Sequence, residues 1–160
     1  MGLLDGLKGE LKVRLSDEPE WKEKRFENYV ARLFDPRSYA VVGRNGDSSA
    51  ANAPHPDLVF RCRRTGELFA VECEYRSELD PEGILEWPDP EQLERCRAFA
   101  HERYVPVFVV VGLGGFSDEP ECMFVIPLKD AEYPALSPGA FTRYSRNPKE
   151  PFFWERGRLS

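Results

Sequence analysis

The sequence predicts an α/β fold in which a central mixed sheet is flanked by helices. Three observations predict it. Phe26, Tyr29, Val30, Leu33 and Phe34 recur at helical spacing. Two apolar runs, 57–63 and 68–76, are joined by a connection only long enough for a hairpin. The run 107–111 is apolar at every position, the pattern of a strand covered on both faces.

Along the chain, residues 1–18 mix Gly, Leu and charge, and are expected to form an arm or a short helix. A single domain is expected over 19–160, large enough for a core without staples. Its first helix ends at Asp35-Pro36, because the residue before proline is pushed out of the helical region. Tyr39 to Val42 reads as the first strand, and 44–55, rich in Gly, Ser, Ala and Asn, as a loop. Strands over 57–63 and 68–76 follow, then a loop over 78–90 that holds Trp87. Pro90, early in a helix where its missing N–H costs nothing, opens a helix to Arg103 with Leu93, Cys96, Phe99 and Ala100 inward. The strand 107–111 is expected to stop at Gly112, Gly114 and Gly115, which lack the following Lys-Ser/Thr of a phosphate loop. A strand over 123–128 comes next, and 151–155 near the end is a candidate edge strand.

Composition narrows the function classes. No apolar run approaches the roughly 20 residues of a membrane span, and no secretory leader is evident. The four cysteines, Cys62, Cys73, Cys96 and Cys122, have no CxxC pairing and only two histidines to help them, which argues against structural zinc. A reduced, cytoplasmic protein is expected. With 28 acids against 22 bases the net charge is −6, which counts against strong non-specific binding to DNA. Clustered catalytic acids would themselves lower that charge. Arg61, Arg63, Arg64, Arg76, Arg95, Arg97 and Arg103 form either a local basic rim or a solvated face.

The chemistry-bearing pattern is a set of acids in apolar strands. If Thr65-Gly66 is a two-residue turn, Asp57 lies across from Glu74 and diagonally from Glu72. Side chains alternate along a strand, so Glu72, Glu74 and Arg76 share one face while Val71, Cys73 and Tyr75 take the other. Like charges facing across a sheet destabilise it, and a divalent cation in an oxygen shell would remove the cost. The competing reading is an exposed hairpin whose acids are satisfied by Arg61 and Arg76. Glu27, one residue off the apolar stripe of the first helix, and Gln92, at the start of the second, are either surface polar residues or further members of the site.

Phe26-Glu27-Asn28-Tyr29-Val30, Pro56-Asp57, Val71-Glu72-Cys73-Glu74 and Gln92-Leu93-Glu94-Arg95-Cys96 resemble, in that order, the motifs of the PD-(D/E)xK nuclease superfamily. The resemblance spans 22–128 and implies a restriction-endonuclease-like fold. It implies that Glu27 is the first-helix glutamate, that Asp57 and Glu72 bind metal, and that Gln92 is the later glutamine of one nuclease branch. Cys96 stands where that branch often has tyrosine. The family lysine, two residues after the second acid, falls on Glu74. Glu74 would then act as a metal ligand or a base, with Arg76 on the same face supplying the lost charge. The expected function is a Mg- or Mn-dependent nuclease acting on DNA. Its site residues would be Asp57, Glu72, Glu74, Glu27 and Gln92, with metal on Asp57, Glu72 and Glu74, and it would be a homodimer if it cuts two strands. The alternative is a non-catalytic nucleic-acid or protein binding module on the same fold.

Overall fold

The structure is a computed structural model that describes residues 19–45, 56–87, 90–131 and 135–160. The arm expected over 1–18 and most of the polar loop expected over 44–55 lie outside the described residues.

Helix α1 (Glu20–Arg32) leads into β1 (Tyr39–Arg44), β2 (Leu58–Cys62) and β3 (Leu68–Arg76). After the two-residue β4 (Leu85–Glu86) comes α2 (Pro90–Arg103), then the long hairpin of β5 (Val107–Phe116) and β6 (Glu119–Pro127). The remainder is short: β7 (Ala135–Leu136), α3 (Pro138–Phe141), β8 (Ser145–Arg146), β9 (Trp154–Glu155) and β10 (Arg158–Leu159). The main sheet has the order β1-β2-β3-β5-β6-β8. Only β3 and β5 are parallel, and α2 makes the crossover between them. The sheet is therefore mixed and flanked by helices, as the sequence predicts.

Each face of the sheet carries its own core. On the α1 face Phe26, Val30 and Phe34 pack with Val71, Cys73 and Tyr75 and with Phe152 and Trp154 from the C-terminal segment. Phe34 is the centre of an aromatic stack, 4.0 Å from the Phe60 ring and 4.6 Å from that of Phe152. Leu33, expected in the buried stripe, is only half-buried, because the helix ends there and Phe34 fills the space. On the α2 face Leu93 and Cys96 pack against Ala70, Val109, Val111 and Ile126.

Three expectations are corrected. The β2–β3 connection is a four-residue loop closed by the Cys62–Glu67 pair, with Gly66 at φ +76°. Consequently Leu58 faces Val71 and Val59 faces Ala70, two positions from the register a two-residue turn would impose. A slip of two leaves every side chain on its expected face, since the strand period is two. Secondly, the glycines after Val111 do not end β5, which runs on to Phe116 and turns at Ser117-Asp118. A Cβ on Gly112 would lie 2.5 Å from the Phe26 ring, so glycine there is a packing requirement of α1. Gly114 and Gly115 have φ +71° and +61° and twist the hairpin toward its tip. Thirdly, 78–90 is not wholly a loop, for Leu85–Glu86 pairs with Ala135–Leu136 over the α2 face. The expected edge strand at 151–155 contracts to β9, which pairs with β10 in a separate small sheet.

Candidate active site at the open flank of the central strand

The β2–β3 ladder stops at Leu58–Val71, whereas β3 continues beside β5 to Arg76. Two N–H groups of β3 on the flank that β2 has vacated then need acceptors. Cys73 N–H donates to Asp57 Oδ2 at 2.8 Å, and Tyr75 N–H donates to Glu23, the nearer oxygen at 3.2 Å. Asp57 comes from the segment just before β2, and Glu23 from the first turns of α1. Both carboxylates are drawn to the same open flank by the same deficit.

Glu72 and Glu74 project from β3 on the side opposite Val71 and Cys73, and both are buried. Glu72 accepts from Asp57 N–H at 3.3 Å and from the Cys96 thiol at 3.4 Å, and its other oxygen accepts from Gln92 Nε2. Asp57, Glu72 and Gln92 thus converge from three elements. Glu74 turns elsewhere. Its carboxylate meets Arg76 Nη1 at 3.3 Å, and the same nitrogen meets Glu23 at 3.3 Å. Arg76 is held further by the carbonyls of Tyr75 at 2.7 Å and Glu86 at 3.3 Å. Glu27 is buried and accepts from Lys24 at 3.1 Å and Arg44 at 3.0 Å.

Crowding of these acids in a dry place disfavours their charge. Burial, and then the neighbouring Asp57 and Glu74 charges, push Glu72 well above the usual carboxylate range. Burial also raises Asp57, opposed by its bond from Cys73 N–H and reinforced by Glu27. Glu74 is raised to about 7 by burial against the lowering effect of Arg76. Glu23 is raised to about 8 by burial and by Glu74, again with Arg76 opposing.

Of the residues the sequence singles out, Asp57, Glu72 and Gln92 come together, Glu74 lies beside them in an ion pair, and Glu27 sits behind Lys24 and Arg44. Among the described residues no group of three or more His, Cys, Asp or Glu side chains is gathered closely enough to hold a metal ion. Asp57, Glu72 and Glu74 are therefore not assembled as a three-carboxylate cage. The basic rim does not surround the acids either. Arg76 is within the site, Arg97 pairs with Glu94 along α2, and Arg61 is exposed without an ion pair to Glu72 or Glu74 among the described residues. Two participants escape the sequence reading, Glu23 and Arg44. Glu23 lies four residues before Glu27 and so on the same side of α1, a local signal too common among helical acids to single it out.

No family model matches the chain, and no curated protein matches it in sequence. Among solved structures it is similar to Archaeoglobus fulgidus Hjc, a Holliday junction resolvase from an archaeal hyperthermophile. The TM-score is 0.55 at 20% identity, covering 73% of this chain and 88% of the resolvase. Among the described residues no helix is long and apolar enough to cross a membrane. The shared architecture is the restriction-endonuclease-like fold, with Asp57 and Glu72 at the flank where β2 leaves β3.

Proposed function

We propose that the protein is a divalent-metal-dependent nuclease that hydrolyses phosphodiester bonds of DNA. The observation that carries this reading is the convergence of Asp57 and Glu72, bridged by a hydrogen bond and oriented by Gln92, on a nuclease fold. The donor set fits magnesium or manganese. Both groups are hard oxygen donors, and Mg²⁺ commonly takes one or two carboxylates and fills its shell with water and phosphate oxygens. Burial and mutual repulsion leave these acids short of positive charge, which a cation would supply. When bound, the ion would lower the pKa of its water and offset charge developing on the phosphate.

The chain's own groups have distinct tasks in this reading. Asp57 and Glu72 would hold the ion, and Gln92 fixes the rotamer of Glu72. Arg76, clamped between Glu23 and Glu74, stands in for the lysine that Glu74 displaces and places positive charge on the acid-bearing flank. Glu27, neutralised by Lys24 and Arg44, anchors α1 against that flank. Like the resolvase it resembles, the protein is proposed to act on branched DNA, and as a homodimer when two strands are cut. A cytoplasmic location is proposed with it.

The test is cleavage of supercoiled plasmid and of a labelled four-way junction with Mg²⁺ or Mn²⁺, comparing wild type, Asp57→Ala and Glu72→Gln. Metal-dependent nicking lost in both variants is expected. Equal nicking in all three proteins would overturn the assignment, and sedimentation with and without the junction reads the dimer. A second reading, a binding module without catalysis, draws on the placement of Glu74 and on the bonds from Asp57 and Glu23 to strand N–H groups. Those bonds give the acids a structural task. Binding of the junction without cleavage under every metal condition would favour it.

A further inference from the structure

The end of the sheet opposite the acids carries the concentrated positive charge. There, where β3 and β5 begin and β2 and β6 end, two grooves open on either side of the β9–β10 hairpin. The smaller, about 340 Å³, lies between Tyr39, Cys62 and Trp154 and is rimmed by Arg37, Arg63 and Arg64. The larger, about 910 Å³, is floored by Val107, Phe108 and Leu159, and its rim holds Arg97, Lys129, Arg156 and Arg158 with His101. Seven of the chain's 22 Lys and Arg residues thus line these two grooves, three in one and four in the other. The lining holds one carboxylate, Asp130, which accepts a hydrogen bond from the Tyr144 hydroxyl.

Five of these seven cations are available. Arg63, Arg64, Lys129, Arg156 and Arg158 are exposed and make no ion pair among the described residues. Some are also held in place. Arg63 donates to the Pro36 carbonyl at 3.0 Å, which positions its guanidinium without neutralising it, whereas Arg97, bonded to the Ala131 carbonyl at 3.1 Å, also pairs with Glu94, and Arg37 pairs with Asp35. Arg156, at φ +50°, and Gly157, at φ +78°, form the tight turn that carries Arg158 beside Lys129 and Arg97. On a chain of net charge −6, such segregation creates a local field that the overall composition hides.

We propose that this basic end is a docking surface for the phosphate backbone of a nucleic acid, separate from the acid-bearing flank. Length decides between a polyanion and a small one. From β1 to β6 is four inter-strand steps, roughly 19 Å at about 4.8 Å each. One strand of duplex advances about 3.4 Å per phosphate along the axis, so the end spans roughly five or six phosphates. A mononucleotide, with its charge at one end, would engage one groove and leave the other idle. The proposal goes beyond the nuclease reading, since it needs neither metal nor hydrolysis.

The experiment is fluorescence anisotropy of a labelled 24-bp duplex in EDTA, over a range of KCl concentrations. It compares wild type, Arg63→Glu/Arg64→Glu, Arg156→Glu/Arg158→Glu, the four combined, and Lys149→Ala as the control. The substituted arginines are exposed, and circular dichroism melting checks that each variant is folded. The fourfold variant is expected to bind at least tenfold more weakly. Its slope of log K against log salt should flatten by roughly 3 to 4, at about 0.9 for each phosphate that the protein no longer neutralises. Each pair should show part of this effect, and Lys149→Ala, an exposed residue paired with Glu119 and outside both grooves, should bind as wild type does. Affinity of the fourfold variant within twofold of wild type would overturn the proposal. So would weakening confined to one pair, or no wild-type binding at 100 µM protein and 20 mM KCl. The nuclease reading is judged separately by metal-dependent nicking lost in Asp57→Ala, so either idea can fail while the other stands.

Discussion

Replacing Arg76 by methionine removes the only positive group within ion-pairing distance of Glu74 and Glu23 among the described residues, and keeps an apolar stem of similar length. Each acid meets Arg76 at 3.3 Å, and the arginine side chain is 12% exposed. An acid whose folded pKa lies above its unfolded value contributes stability that is fully present below the unfolded pKa. That contribution is lost as pH rises through the folded one. For Glu74 and Glu23 the window runs from 4.5 up to about 7 and about 8. In wild type the loss is at most about 1.4 kcal/mol per pH unit for each group. Arg76 opposes the rise of both, so Arg76→Met widens the window and deepens the total fall.

At pH 5.5 both acids already carry protons in the folded protein. The substitution then costs little more than the arginine's bonds to the Tyr75 and Glu86 carbonyls, about 1 to 2 kcal/mol. At pH 8.5 it leaves buried acids either ionised and unpaired or protonated at a cost, and a broken buried pair is worth about 3 to 5 kcal/mol. The penalty should therefore grow by roughly 2 to 3 kcal/mol across that range. At about 2 to 4 °C per kcal/mol for a chain of this size, the gap in Tm widens by roughly 4 to 12 °C. Circular dichroism melting of both proteins in EDTA at pH 5.5 and 8.5 measures it. A gap that is the same at both pH values would refute the claim that Arg76 balances these two carboxylates.

The remaining expectations concern the same flank and its support. Mn²⁺ should raise the wild-type Tm more at pH 8 than at pH 5.5, because at low pH protons compete for Asp57 and Glu72, and Asp57→Asn should abolish the increment; an equal rise in Asp57→Asn would place the ion elsewhere. Glu74→Lys puts a cation where the nuclease motifs that the sequence resembles carry lysine, with Glu23 close by to pair it, and under the proposed function should raise Mg²⁺-dependent nicking above wild type; nicking abolished by the change would show that the Glu74 carboxylate is itself required. Gly112→Ala sets a methyl 2.5 Å from the buried Phe26 ring and should cost about 1 to 3 kcal/mol in urea denaturation, whereas no loss would mean that α1 is free to shift. Phe34→Ala empties the stack with Phe60 and Phe152 and should cost about 3 to 5 kcal/mol by the same measurement.

The parts of the fold that were legible in the sequence are those in which a local period and a tertiary face agree. Residues 68–76 have one reading because a continuous apolar run over 68–71 passes into alternating apolar and acidic positions over 71–75, and the bounds of β3 match it. The register of β2 against β3 was not legible, since nothing local states that Gly66 takes a left-handed conformation in a four-residue loop. The acids kept their faces only because the error was even. Gly112, Gly114 and Gly115 show the opposite failure. As local signals they break a strand, but Phe26 requires the missing Cβ at one, and the Tyr75 hydroxyl bonds the carbonyls of the other two at 3.2 and 3.0 Å. Tertiary packing overrode the local rule, and no window of sequence contains both partners.

The candidate site was legible by the same measure. Asp57, Glu72 and Gln92 stand out as polar residues beside apolar runs, and their convergence follows from strand alternation and the α2 crossover. Glu23 was hidden because acids in the first turn of a helix are common for dipole reasons alone. What singles it out is that β2 ends at Leu58 and leaves the Tyr75 N–H without a strand partner. That same deficit separates two explanations for the buried acids. Asp57 Oδ2 and Glu23 each have a backbone N–H to satisfy, and an asparagine or glutamine oxygen would satisfy it equally well without charge. Structure alone would therefore be served by the amide, at lower desolvation cost. The carboxylate form at Asp57, set against a second carboxylate that its own N–H contacts, is what the proposed metal-binding role would require. Asp57→Asn is the substitution that tells the two tasks apart, because it keeps the bond to Cys73 N–H and removes only the charge.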